Sequence, residues 1–309
     1  VDSSHVTIRN LELDGRALPV DGVKAEGDSR WAHHVTLENL TIRGHGRDQQ
    51  TVGISTKCPA WGWVIRGNEI VGAGTGLYLG NSDGSAPFVG GLIEHNLVVD
   101  TIGYNLQIKH QRPRPDVPGL PAGKNVTIIR YNVFSKARGG SSGPAARPNV
   151  LIGHGPLSGP GTDDVTVLYG NVFHQNPAEA LFQGEGNLAL HGNQFVNDHG
   201  DAIRIQPHND IPRNVDVLGN TIVAEGTGVL VRTGEAPAGA GFRQAVTGNV
   251  VFAGRPIDGG VSSANTVAPF EAAAYYPVPC DFQFAISNFQ FSIRRFASKR
   301  PVGGRCLGE

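Results

Sequence analysis

The chain has 309 residues, a formal net charge of −1, 17% charged residues, 43 glycines and 20 prolines. Near-neutrality excludes a global field that would gather nucleic acid or an anionic membrane around it, and no apolar run approaches membrane-spanning length. Low charge with abundant glycine suits many short strands joined by tight turns, since glycine supplies the positive φ that corners need.

The chain starts at Val1, contains no methionine, and is inside a repeat by Val6 with no signal-peptide pattern before it. This reads as a removed leader or as a piece of a longer protein. Nine asparagines then close short apolar runs: Asn10, Asn39, Asn68, Asn96, Asn132, Asn171, Asn193, Asn220 and Asn249. The steps between them are 29, 29, 28, 36, 39, 22, 27 and 29 residues. Such self-similarity marks a solenoid in which each repeat is one turn stacked on the next. The asparagines are expected to form one internal ladder, adopting the left-handed conformation of a corner and bonding amide to amide.

Each turn carries a β-rich run before the Asn, a second run after it, a variable loop and a third run. Two residues past the Asn stand Ile70, Val98, Phe134, Phe173, Phe195, Ile222 and Val251, which predicts an internal aromatic stack of three rings on consecutive turns. In the third run Ile54 and Thr56, Leu77 and Leu79, Leu106 and Ile108, Ile203 and Ile205 alternate as inward positions. Three strands per turn with Gly and Asn at the corners describe an all-β, single-stranded parallel β-helix of about nine turns over residues 1–263. Residues 264–309 break the pattern and read as an irregular C-terminal tail or cap, with docking favoured for its aromatic-rich stretch. The tail holds Cys280 and Cys306, which an oxidising compartment would allow to pair, leaving Cys58 odd.

The Asn column and the three-strand turn resemble the right-handed parallel β-helix proteins of the pectate-lyase-like superfamily, over about residues 5–260. The resemblance implies that the third run is the sheet beside which carbohydrate-active members place their cleft. It also implies a bacterial, secreted or periplasmic setting, and it admits Ca²⁺ without any residue here requiring it. Family motifs are absent or rearranged. Gly153-His154-Gly155 and Asp163-Asp164 stand in the wrong order for a polygalacturonase, and Asp163-Asp164 reads as a solvated turn. Arg112-Pro113-Arg114-Pro115 is only superficially like the pectate-lyase pattern, and Gln206-Pro207-His208-Asn209-Asp210 lacks the first aspartate of the epimerase motif.

The outward positions of the third run say more than the motifs. Stacked turns place residues of equal offset in lines along the axis. One line reads Lys24, Ser55, Tyr78, Gln107, then Arg204 and Leu230; the next reads Glu26, Lys57, Gly80, Lys109, then Gln206 and Arg232. The turns at Leu151 and Phe182 have ambiguous register. Asn81, Asp83, His110, Arg112, Arg114, His154, Glu185, His208 and Asp210 lie just beyond, and the two longest turns supply flanking walls around 110–122 and 138–148.

Lys57, Lys109, Arg112, Arg204 and Arg232 give the strip a positive local field, and an acidic polysaccharide or oligosaccharide is the partner such a field fits. Elimination from a uronate needs a cation for the carboxylate, a base for the C5 proton and an acid for the leaving oxygen. Lys109 is a candidate base if its cationic neighbours lower its pKa, and His110 is the rival base. Tyr78 or His208 is the candidate acid; Arg204 or Arg232 would bind the carboxylate, with Lys57, Asn81, Gln107 and Arg112 as further contacts. The leading expectation is a polysaccharide lyase. A glycoside hydrolase would need two facing carboxylates, for which Glu185, Asp83 and Asp210 are isolated candidates. A non-catalytic glycan-binding or adhesin solenoid would need exposed aromatic platforms, for which Tyr78, Tyr104, Trp61 and Trp63 stand out. Asp198, Asp201 and Asp210 with His199 and His208 match no metal-ligand spacing.

Overall fold

The computed structural model describes residues 2–27, 30–138, 140–141 and 143–274 in full, and the backbone of 275, 281–286 and 289–294. Cys280 and Cys306 lie outside the described residues. The chain coils through parallel sheets, each formed by one strand per turn. The sheet before the Asn corner has ten strands, running from Thr7–Arg9 to Val261–Ser263. Beyond the corner lies a second sheet, from Glu12–Asp14 to Thr266–Ala268, and after the variable loop a third, from Val23–Glu26 onward. These two join into one because Thr221–Val231 and Val250–Asp258 run unbroken around the bend, with a bulge between Ala224 and Thr227. A four-stranded corner sheet, Ser3–Ser4, Ala32–His33, Ala60–Trp61 and Phe88–Val89, serves the first four turns. The expected parallel β-helix is the observed fold.

Alternation builds the interior. Leu37, Ile65, Ile93, Ile129, Leu168, Leu190, Val217 and Val246 form one inward column, each within 1% of full burial. Across the Asn corner the expected rings are stacked. Phe134, Phe173 and Phe195 are fully buried, with centroids 5.5 Å apart for the first pair and 4.4 Å for the second.

The ladder is continuous from Asn68 through Asn96, Asn132, Asn171, Asn193, Asn220 and Asn249, and it gains Asn265. Asn132 shows how each rung is saturated. Its Nδ2 donates to Asn171 Oδ1 at 2.9 Å and to the Ile93 carbonyl at 2.9 Å. Its Oδ1 accepts from the backbone N and the Nδ2 of Asn96, both at 2.9 Å. An amide has two donor hydrogens and two lone pairs, so nothing is left over in a site that excludes water.

Two expectations about this column are corrected. Asn10 and Asn39 bond amide to amide, Asn39 Nδ2 donating to Asn10 Oδ1 at 3.3 Å, but they stand outside this ladder: Asn39 pairs in register with Gly67, and the ladder position of that turn is Leu40, which is 1% exposed. The Leu40 backbone N donates to Asn68 Oδ1 in place of a rung. Asn10 and Asn39 instead take the left-handed corner, with φ of 57° and 53°. In the later turns that corner falls on the residue before the ladder Asn: Gly67, His95, Tyr131, Gly170, Gly192, Gly219, Gly248 and Ala264. The corner and the amide column are adjacent positions, and one residue type fills only one of them in any given turn.

The repeat also runs past 263. Thr266–Ala268 pairs with Val250–Phe252, and Ala273 of the following 3₁₀ helix, Phe270–Tyr275, is buried with Val223 and Phe252. Farther on, Asp281–Ile286 and Phe289–Arg294 form an antiparallel pair.

Asn171→Ala is expected to cost about 2–4 kcal/mol, because it strands buried partners on both neighbouring turns. Asn39→Gly, at an exposed left-handed corner, should stay within about 0.5 kcal/mol of the parent. Urea unfolding of the two variants measures the difference; equal midpoints would remove the ladder from the account of stability.

Candidate functional site

The structure resolves the register of the third sheet. Leu106 pairs with Val150, Val150 with Phe182 and Phe182 with Ile203, so these point inward with Ile108, Ile152 and Ile205 two residues on. The first outward line therefore reads Lys24, Ser55, Tyr78, Gln107, Leu151, Gln183, Arg204, Leu230 and Asp258. Backbone bonds carry the second line from Lys57 through Gly80, Lys109, Gly153, Glu185 and Gln206 to Arg232.

Three of the expected residues converge. Gly80 stands between Lys57 and Lys109 and has no side chain, so the neighbouring Tyr78 ring is approached from both adjacent turns. Lys57 Nζ lies 5.8 Å and Lys109 Nζ 5.6 Å from the ring centroid. A Cβ on Gly80, whose φ is +102°, would meet Lys109 Cβ at 3.0 Å and the Ala86 carbonyl at 3.1 Å. Only glycine opens this slot. Burial pushes the Lys109 ammonium below the ordinary lysine range, because desolvation disfavours its charged form. Burial also holds the Tyr78 phenol above its usual value, partly offset by a hydrogen bond with Ser82. The pair is thus biased toward a neutral amine and a protonated phenol.

His110, Asn81, Asp83 and Arg112 close one end of this group. The His110 ring sits on Gly84 and tilts against His154, with centroids 5.4 Å apart. Burial, then the nearby His154 and Lys109, hold its pKa below that of free imidazole. Asn81 orders the turn, accepting from the Ser82 backbone N at 3.0 Å and donating to Ser85 Oγ at 3.3 Å. The exposed Arg112 guanidinium stands 4.0 Å from Asp83. Gln107 is 4% exposed and lies between Tyr78 and Leu151 in its line.

The remaining expected residues stand apart. Arg204 is three turns beyond Gln107, about 14 Å along the axis, and Asp201 accepts from both its Nε and Nη2 at 2.8 Å. Arg232 is held by both oxygens of Asp258. The His208 side chain is exposed, and its backbone N donates to Glu185. Arg204 and Arg232 therefore carry matched charges.

Several polar residues of the strip hold the structure together. Glu185 is 1% exposed; its Oε2 accepts from the backbone N of His208, Asn209 and Asp210 at 2.8, 2.8 and 3.0 Å. It clamps the loop and does not face a groove. Asp164, expected as part of a solvated turn, is half-buried in an ion pair with the buried Arg114 and accepts from Asn125 N at 2.8 Å. The long 111–125 loop is pinned there. The second long loop is pinned by Lys136, fully buried, whose Nζ donates to the Arg147 carbonyl at 2.8 Å. Trp61 and Trp63, expected as platforms, are 3% and 2% exposed, and Trp63 Nε1 donates to the Ala32 carbonyl. Other aromatics do face outward. Tyr131 is 42% exposed, stacks with His95 and meets Tyr169 edge-on, while Tyr169 stacks with His191, all on the ten-stranded side.

The carboxylates do not fit a calcium cage. Asp201 and Asp210 face arginines, Asp198 accepts from Gln175, and Asp83 is occupied by Ser85. Calcium wants six to eight oxygens gathered at one point, and no such gathering of carboxylates occurs among the described residues.

Arg114→Ala is expected to cost about 3–5 kcal/mol, by leaving Asp164 partly buried and unpaired, and to release the 111–125 loop. Limited proteolysis checks this: cleavage should move into 111–125 in the variant, and an unchanged digest would show that the loop is held elsewhere. No family model matches the chain, and no curated protein matches it either.

Proposed function

We propose that the chain is a carbohydrate-active enzyme of the pectate-lyase-like kind, a polysaccharide lyase that cleaves a uronate-containing glycan by β-elimination at the Lys57–Tyr78–Lys109 group. The observation that carries this reading is the placement of two lysines on either side of one half-buried tyrosine, with burial favouring the neutral amine and the protonated phenol.

In this mechanism Lys57 and Arg112 hold the uronate carboxylate and stabilise the charge that builds on it as C5 loses its proton. Lys109 Nζ takes that proton. The C4–O bond breaks as the C4–C5 double bond forms, and the Tyr78 hydroxyl protonates the departing oxygen. Lys109 fits the base better than His110, whose Nδ1 is buried without a hydrogen-bond partner. Asn81 and Gln107 stand beside the same group, while Arg204, Arg232 and His208 lie farther along the third sheet, in the direction a longer chain would extend. No step uses calcium. A protein acting on an acidic polysaccharide in this way would work outside the cytoplasm, secreted or periplasmic.

A hydrolase fits less well, since Glu185 is a buried clamp and Asp83 and Asp210 are engaged locally. A binding solenoid is favoured by one specific observation, the outward Tyr131, Tyr169, His95 and His191 on the ten-stranded side. The two readings differ in whether bonds break.

Incubation with alginate, pectate and glycosaminoglycans should raise the ultraviolet absorbance of an unsaturated product. Lys109→Ala should lower the rate by about 10²–10⁴-fold with the fold intact, and Tyr78→Phe should lower it as well. Because the base must be neutral, activity should rise with pH, with its midpoint below the ordinary lysine value of about 10.4. Binding without product on every acidic glycan would replace this reading with the solenoid one.

A further inference from the structure

The first turns carry a second cluster of chemistry-bearing side chains, on the corner sheet. Backbone bonds set His5, His34, Gly62 and Gly90 at one offset and Ser4, His33, Trp61 and Val89 at the offset before it. The first of these is a left-handed corner. Gly62 and Gly90 meet it without cost, at φ of 63° and 60°, but His5 and His34 adopt φ of 55° and 52°. A non-glycine residue there is uncommon, although histidine is among the more tolerant types. Two consecutive turns therefore place imidazoles where the backbone alone would favour glycine.

The rings are held from behind. His33 stacks on the buried Trp61, with centroids 4.5 Å apart and planes 11° from parallel. His34 lies over Gly62, where a Cβ would meet its Nε2 at 3.1 Å. His5 stacks on His34 at 4.9 Å. The three ring nitrogens that converge lie within 4.8 Å of one another, and His33 Nδ1 is 2.8 Å from His34 Nδ1. At that distance one nitrogen must carry the proton and the other must present its lone pair.

We propose that His5, His33 and His34 form a binding site for a divalent late first-row transition metal ion, with Zn²⁺ as the reference ligand. Imidazole nitrogens suit such ions, and Zn²⁺ takes them at about 2.0–2.1 Å in a tetrahedral arrangement. Two nitrogens on one tetrahedral ion stand roughly 3.3 Å apart by that geometry. The His33–His34 pair reaches this spacing by opening roughly half an ångström at the exposed His34, and the exposed His5 ring turns out of its stack on His34 to bring its in-plane lone pair onto the same ion. Binding displaces the shared proton and replaces that hydrogen bond by metal–nitrogen bonds. Three protein nitrogens leave the fourth position to water or to an outside ligand. The site is separate from the lysine–tyrosine group and does not depend on the lyase reading.

The test uses the full chain stripped with a chelator and titrated with ZnCl₂ by calorimetry, with Co²⁺ absorption reporting coordination. One saturating equivalent at micromolar or tighter affinity is expected, together with a melting temperature that rises with Zn²⁺ and falls back on chelation. His5→Asn, His33→Asn and His34→Asn should each weaken binding by at least about tenfold. Asparagine is chosen because it keeps the left-handed corners accessible. His191→Asn, on another sheet, should leave binding unchanged. Failure to saturate below about 100 µM, or full binding in the triple variant, overturns the proposal; a melting temperature without Zn²⁺ equal to the parent's shows that the variants are folded.

Discussion

A buried column of primary amides, its interior rungs with all donors and acceptors used, sets the register on which the rest of this molecule depends. From Asn68 to Asn249 every rung ties a side chain forward to the next turn and back to a carbonyl of the previous one. Aspartate has no donor for either bond and would leave a row of buried anions; alanine would leave both neighbouring turns unsatisfied. Because side chains alternate with period two, a slip of one residue would turn every core side chain outward. The ladder fixes the offset of each turn and so selects which residues share a line.

The lysine–tyrosine group follows from that constraint. Lys57, Tyr78 and Lys109 belong to three successive turns, and no local motif joins them. They meet because the turns share one offset and because Gly80 leaves a slot between the lysines. The surroundings are held by costlier devices. Arg114 and Lys136 are buried basic side chains that fasten the two long loops, and Glu185 gathers three backbone N–H groups of a third. Charged residues of this strip thus divide into those that fasten its loops and those, Lys57 and Lys109, that flank the Tyr78 ring.

That division is what the sequence alone does not reveal. The period, the three-strand turn and the aromatic stack of Phe134, Phe173 and Phe195 are legible because they recur. Asn10 and Asn39 mislead by one residue, though the glycine inserted before Asn68 in WVIRGN marks the shift. Glu185 looks like a groove carboxylate, and Asp164 like part of a solvated turn, until their partners, more than twenty residues away, are known. Trp61 and Trp63 look like platforms until burial is seen. The histidine cluster had a sequence signal: the step from His5 to His34 equals the step from Asn10 to Asn39 at 29 residues. Equal offset is invisible to a motif search, which looks along the chain and not across it.

The polarity of the amide column also bears on how such a chain changes over generations. Every rung donates toward the C-terminal end, so one whole turn can be lost or duplicated and the cut ends rejoin donor to acceptor. Scaffold and side-chain grouping then have different heritable units. A single coil is interchangeable as architecture, whereas the Lys57–Gly80–Lys109 arrangement survives only if three coils are inherited together in order.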